Sequence, residues 1–259
     1  MTNPMVFGLD VGNTHTKIGL LQGSKVVDVF RFRTERDKAV DEYYFQLKGI
    51  CQELNLEKIP PLWVASVVPA VSIALERLAD TRKLELHCIN NQTQFNFKIH
   101  PKIVQEIGSD ILVLAEAATR LVGENVIIVS AGTASVVFVV HNNILLGGAI
   151  APGIKGSVES LISQAALLKA VFFTSPDTAI GQNTEAAMTS GTIYGFAGLL
   201  DGLVLRMKEE LNLPDIPVIA TGGMIGKVGK ASRTIQQIYQ DLGMQGIAFL
   251  AERLRVKAL

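Results

Sequence analysis

The sequence predicts a two-lobed α/β protein, each lobe a mixed sheet with flanking helices and a cleft between the lobes. Three observations predict it. Two β-meanders open the two halves of the chain, one from Met5 and one from Val126. Each carries a glycine at the same place in its first turn, Gly12 and Gly132. After each meander, short apolar runs alternate with stretches of helical period. Two such openings suggest a duplicated domain rather than one sheet, and the lobes are expected at residues 1–122 and 123–259.

The first meander runs Met5–Asp10, Lys17–Leu21 and Lys25–Arg31, punctuated by turns at Val11–Thr14 and Gln22–Ser24. Lys38–Leu54 has helical spacing, with Tyr44, Leu47 and Cys51 on one stripe. Pro60–Val68 reads as a buried strand, Val71–Leu78 as a helix, Leu84–Ile89 as a strand and Asn90–Pro101 as irregular. Asp110–Val122 predicts a helix with a carboxylate near its start, where the helix dipole favours it. The second meander, Val126–Val129, Ala134–Val140 and Ile144–Ala151, is rich in the β-branched and aromatic residues that suit strands. Helices are expected over Ser157–Ala170 and over Thr184–Leu211, with Asn183 or Thr184 as cap. Pro217–Ala220 reads as a short buried strand, and Ile235–Arg255 as a closing amphipathic helix.

Composition narrows the function. Of 259 residues, 48% are hydrophobic and 19% charged, the balance of a globular chain. The net charge is zero, so there is no basic excess to attract a phosphate backbone, and general nucleic-acid binding is not suggested. The start has no basic region ahead of a long apolar core, so no secretory signal is expected. The apolar run Val126–Val140 is too short to span a bilayer. Cys51 and Cys88 give neither a disulfide framework nor a CxxC pair, and both are expected as packing residues. A cytoplasmic protein with no nucleic-acid or membrane partner is the expectation. The four histidines form no metal-ligand pair, and no GxSxG nucleophile motif occurs.

The sharpest motif is Asp10-Val11-Gly12-Asn13-Thr14-His15-Thr16-Lys17. A glycine after a strand lets a phosphate approach backbone amides. Thr14 and Thr16 offer hydroxyls, Lys17 a point charge, and Asp10 a hard oxygen ligand able to hold Mg²⁺ through water. The plain alternative is a Gly-Asn hairpin turn. Ser130-Ala131-Gly132-Thr133-Ala134-Ser135 is the matching turn of the second half, either a second phosphate clamp or an ordinary hairpin. Thr221-Gly222-Gly223 ends a strand and could admit a nucleobase or ribose, or simply connect strand to helix. The segment from Gly147 to Gly153 needs special backbone angles, for a ligand pocket or for a corner. Gly108-Ser109-Asp110 puts a carboxylate at a helix start, as a general base or as an N-cap.

In order along the chain, these pieces resemble the type III pantothenate kinases, the Bvg accessory factor family. The likeness runs through DVGNTHTK (10–17), Arg33-Thr34 with Asp41-Glu42-Tyr43, and SVVP (66–69). It continues through GSD (108–110), AGTAS (131–135), LGGAIAPGIKGS (146–157), IGQNTEAAMTSGTIYG (180–195) and VIATGG (218–223). The resemblance implies duplicated actin-like ATPase (ribonuclease H-like) domains. It implies ATP-dependent phosphorylation of pantothenate, the first step of coenzyme A synthesis, in a homodimer that uses Mg²⁺ and a monovalent cation, K⁺ or NH₄⁺. By position, Asp10 to Lys17 (Asp10, Gly12, Asn13, Thr14, Thr16 and Lys17) resemble the ATP phosphate loop, with Thr133 beside Gly132 a second ATP contact; Gly222 and Gly223 are candidate nucleotide contacts on their own reading. Asp110 resembles the general base. Gly108, Ser109, position 111 and Thr184 fall where the family meets pantothenate.

Two positions depart from the family. Ile111 stands where the family carries a substrate-binding arginine, and Ser130 where it carries the aspartate that holds K⁺. Losing a charged donor to a buried substrate carboxylate costs roughly 2–5 kcal/mol. Three readings follow: an active pantothenate kinase, a ligand-binding or regulatory protein on the same fold, or a kinase of another small hydroxylated substrate.

Overall fold

A computed structural model describes residues 4–164 and 174–256 of the chain. The chain divides into two compact units. The first comprises residues 1–96, 101–117 and 242–259, and the second residues 97–100 and 118–241.

In the first unit, β1 (Met5–Val11), β2 (His15–Gln22) and β3 (Lys25–Arg33) form the antiparallel meander. α1 (Val40–Glu53) leads to β4 (Leu62–Ser66), parallel to β1. α2 (Pro69–Arg82) leads to β5 (Leu86–Ile89), parallel to β4. The sheet order is β3-β2-β1-β4-β5. Period-two alternation sorts the side chains: Phe7, Leu9, Ile18, Leu20, Leu62 and Val64 join the core with residues of α1 and α2. The Glu42 carboxylate accepts from the Ala39 amide at 2.7 Å and so satisfies one free donor at the start of α1. Pro69 opens α2, where its missing N–H costs nothing.

α3 (Ser109–Leu121) follows, and α7 (Leu242–Val256) covers the other face of the sheet. Gly8 and Gly19 sit opposite each other in β1 and β2. A Cβ on either would lie 2.8 or 2.6 Å from Met244 Sδ, so the two glycines form the seat of α7. Met244, Ile247 and Leu250 bury there with Val6, Leu21 and Trp63. Gly246 of α7 lies so close to the Val113 carbonyl of α3 that a Cβ would collide with it. Arg253 of α7 donates to the fully buried Glu116 of α3 at 3.1 Å and to the Gln94 carbonyl at 2.6 Å. Glu116 also accepts from the Asn96 amide at 3.0 Å.

The second unit repeats the plan. β7 (Val126–Ala131), β8 (Ala134–His141) and β9 (Ile144–Pro152) form the meander; α4 (Ile154–Gln164) and α5 (Thr184–Leu211) lead to β10 (Val218–Thr221); and α6 (Ile225–Ala231) leads to β11 (Gln237–Ile238). The order is β11-β10-β7-β8-β9, the same as in the first sheet, with β6 (Lys98–Ile99) added at the β9 edge. Strand polarities match pair for pair. Both meanders shift register at the same point, between Leu20 and Leu21 and between Val139 and Val140. The duplicated α/β fold read from the two meanders is therefore present.

Several boundaries differ from the sequence reading. The helix expected over Ile235–Arg255 begins only at Leu242. Residues 232–234 are held by Asp201 of α5, and β11 pairs with β10 before the helix starts. α6 realises the strand-to-helix alternative at Gly222-Gly223, and the irregular stretch 90–101 contains β6, a strand created by its pairing with β9. The helix expected over Ser157–Ala170 starts earlier, at Ile154; residues 165–170 lie outside the described residues. Cys51 is buried as expected, but Cys88 is exposed on the edge strand β5.

By length and composition α5 could cross a membrane, with 28 residues and a mean hydropathy of 1.2 over its most apolar window. Its buried face instead packs in the second core through Ile193, Ala197, Leu200 and Val204, and it carries Asp201 in the same stretch.

Candidate active site

The hairpin of the first unit is fixed by its own hydrogen bonds. The Gly12 amide donates to the His15 carbonyl at 3.0 Å, and the Thr34 amide donates to the Thr14 carbonyl at 3.0 Å. Thr34 Oγ1 donates to the Gly12 carbonyl at 2.7 Å, which leaves Thr16 Oγ1 to donate to Thr34 Oγ1 at 2.9 Å. Thr16 is buried, so its hydroxyl braces the loop. Arg36 holds the Asn13 side chain at 3.2 Å. Asn13, Thr14 and His15 are exposed at the tip. Thr34, just after β3, is the loop-fixing residue to which sequence reasoning gave no role; only its hydrogen bonds to Gly12, Thr14 and Thr16 reveal it.

Asp10 pairs across the sheet with Lys17 and lies beside Ala65 of β4. A Cβ on Gly243, in the first turn of α7, would lie 3.1 Å from Asp10 Oδ2 and 3.8 Å from Leu114 of α3. The Asp10 carboxylate is thus packed among β1, α7 and the α3 turn that follows Asp110.

Asp110 lies in the first turn of α3. The Gly108 carbonyl accepts the first helical bond, from the Leu112 amide at 3.2 Å, so Gly108 rather than Asp110 holds the N-cap position. Ser109 Oγ donates to the Ser66 carbonyl at 2.9 Å and pins the helix start to the end of β4. Asp110 Oδ1 accepts from the Ile111 amide at 2.8 Å. A Cβ on Gly108 would collide with that carboxylate, so the glycine leaves it room. Burial pushes the Asp110 carboxyl above its ordinary value, against the downward pull of the backbone amides at the helix start. A carboxylate raised by desolvation and poised at a helix start has the properties of a general base. Ile111 contributes its amide to Asp110 and no charge.

In the second unit, three glycine motifs converge on one turn. The Gly132 amide donates to the Ala134 carbonyl at 3.0 Å. A Cβ on Gly153 would collide with the Thr133 carbonyl. Gly222, at φ +114°, approaches the Ala131 backbone so closely that a Cβ would collide there too. The segments 131–133, 153 and 222 therefore form one cradle. Gly223 faces open space. Ser130 pairs with Val136 and Thr221, the place that Asp10 holds in the first sheet, so this copy carries a hydroxyl where the first carries a carboxylate.

Thr184 is the first residue of α5, and Asn183 caps the helix by accepting from the Ala186 amide at 2.8 Å. Thr184 lines a cavity of about 570 Å³ between α4 and α5, with Ser157, Val158, Met188, Thr192 and Phe196. An apolar wall with a few hydroxyls, in a volume of this order, suits a small ligand.

Two meander-led units of one topology, each with a glycine turn, make the duplicated α/β architecture of the actin-like fold. The profile of the type III pantothenate kinase family matches residues 6–206, and the chain belongs to that family. Among solved structures, it resembles a protein described as a Baf family transcriptional activator from Campylobacter jejuni, at 18% identity and a TM-score of 0.61, covering 97% of this chain and 100% of that one. It also resembles a ROK family protein from Streptococcus pneumoniae TIGR4 in complex with sucrose, at 16% identity, a TM-score of 0.54, and coverage of 98% and 100%. A third is the activator of the 2-hydroxyisocaproyl-CoA dehydratase from Clostridium difficile with bound ADPNP, at 14% identity, a TM-score of 0.52, and coverage of 98% of each chain. At such identities the likeness is one of fold.

Proposed function

We propose that the protein phosphorylates pantothenate with ATP to give 4′-phosphopantothenate, the first step of coenzyme A biosynthesis, in the cytoplasm. The observation that carries this reading is the desolvated Asp110 carboxylate at the start of α3, in a chain of the type III pantothenate kinase family. Asp110 accepts the proton of the substrate hydroxyl as that oxygen attacks the γ-phosphoryl in line. Lys17 and the Asn13–Thr14 tip meet the phosphates. Gly132, Thr133, Gly222 and Gly223 take the rest of the nucleotide, and the room at Gly223 suits a flat ligand. Pantothenate is recognised by Gly108, Ser109, Ile111 and Thr184.

The family's metals fit unequally. Asp10 is a hard oxygen donor and suits Mg²⁺ held through water. Mg²⁺ would neutralise charge on the transferring phosphoryl. Ser130 is neutral and does not suit the monovalent cation, so turnover is expected without dependence on K⁺. A homodimer is supported by the stripe Gly191, Tyr194, Gly195 and Gly198, which is exposed on α5 and has open space at each glycine. Light scattering should then give twice the 27.9 kDa chain mass; a monomer at all concentrations would reject the dimer.

The deciding experiment measures ADP release with ATP and Mg²⁺, with and without pantothenate, each with and without K⁺. Pantothenate-dependent release is expected. None from folded protein would favour the second reading, a ligand-binding protein without turnover, to which the charge-free Ile111 and Ser130 point.

A further inference from the structure

The register of the first sheet sets basic side chains directly opposite one another. Lys17 of β2 pairs with Arg31 of β3, and His15 pairs with Arg33. The intervening Phe30 and Phe32 pack into the core on the opposite face, so Arg31 and Arg33 share the face of Asp10, Lys17 and α7. Both arginines are exposed, and neither side chain has a hydrogen-bond or ion-pair partner among the described residues. Arg36 adds a cation at the hairpin tip through its bond to Asn13. Asp10 is the acidic member of the row, whereas Asp28, paired with Leu20, lies on the other face.

Lys17 and Arg31 are like charges directly opposite each other in an antiparallel pair, an arrangement that is destabilising. A ligand with several negative charges reverses the sign of that term. Arginine forks take phosphate oxygens two at a time. Arg31 and Arg33 stand two residues apart on one strand, ~6.7 Å, a spacing for a run of linked phosphates rather than for one.

We propose that Arg31 and Arg33 continue the Asp10–Lys17 hairpin as a cationic row that binds the phosphate chain of the phosphoryl donor. The inference rests on the kinase reading and assigns it two donor-binding residues in β3, outside the hairpin motif.

The test is calorimetric titration of the full chain with sodium tripolyphosphate and with ATP, for the wild type, R31Q/R33Q and K17Q. The wild type should bind tripolyphosphate, and ATP should displace it. R31Q/R33Q should bind both roughly tenfold or more weakly, and should show a shallower dependence on added salt than the wild type. Without ligand, R31Q/R33Q should melt no lower than the wild type, because repulsion has been removed. Wild-type affinity in R31Q/R33Q alongside weakened K17Q would overturn the proposal and leave the hairpin alone holding phosphate. A wild type that binds ATP but not tripolyphosphate, or neither, would also overturn it. Arginine-dependent tripolyphosphate binding without pantothenate-dependent ADP release would keep the row and reject the substrate.

Discussion

Asp110 lies in the first turn of α3, where loss of water rather than a neighbouring charge sets the proton affinity of its carboxyl. Its place after Gly108-Ser109 suggested either a base or a cap, and periodicity could not choose. The distinction lies in three-dimensional facts: the Gly108 carbonyl starts the helix, Ser109 ties it to Ser66, and burial raises the carboxyl. Asp110→Asn should lower turnover by about 10²–10⁴ and leave nucleotide affinity largely intact, as read by steady-state kinetics beside a binding titration. A mutant with normal turnover would make Asp110 a structural residue. Because its folded pKa is raised, the ionised form is the one the fold disfavours. The fold is therefore favoured by this group below its ordinary pKa and loses that advantage as pH rises through the raised one. Asp110→Asn should melt higher than the wild type at neutral pH, and the difference should vanish in acid. The acid limb of kcat/KM should lie above the usual aspartate value of 3.8. Thr34 is the opposite case: its place beside Arg33 in the family pattern was visible but its role was not, because only the fold brings its hydroxyl to the Gly12 carbonyl.

Elements were most legible where one face is buried along a regular period. Both meanders and α5 are where the pattern puts them. α6 was open only as an alternative and β11 was hidden, because seven residues and two residues carry too little period to read. What fixes them is Asp201, whose carboxylate accepts from Ser232 Oγ, the Arg233 amide, and the Thr234 amide and hydroxyl. Burial pushes this carboxyl up, but the four hydrogen bonds outweigh it and hold the group below its ordinary value. Its contribution is therefore present above the usual aspartate range and lost as pH falls through the depressed value. Asp201→Ala should cost about 2–4 kcal/mol in urea unfolding at neutral pH, and the gap should narrow in acid. A cost that stays constant with pH would mean that charge is not what holds the 232–234 loop.

For the whole molecule, the repeat of sheet order, polarity and register shift is stronger than the short turn likeness that suggested it. The turns themselves have diverged: Val11 pairs with Thr16 but Ala131 with Ser135, one residue fewer in the second loop. The closing helix was the least legible feature, since nothing in its own sequence says that it belongs with the opening strands. Removing residues 242–259 should uncover Trp63, which is 3% exposed, and red-shift its fluorescence. It should leave the second sheet, whose core has no member beyond Ile238, resistant to protease. An unshifted spectrum would deny α7 that covering role. The seat of Met244 on Gly8 and Gly19 also sets a timetable for synthesis. A ribosome makes the first strands early, yet their greasy side waits bare until the segment around Met244, more than two hundred residues later, has been made. The nascent chain must finish its later half before its earlier half can close, and a stalled or prematurely released product would present that side to chaperones and proteases.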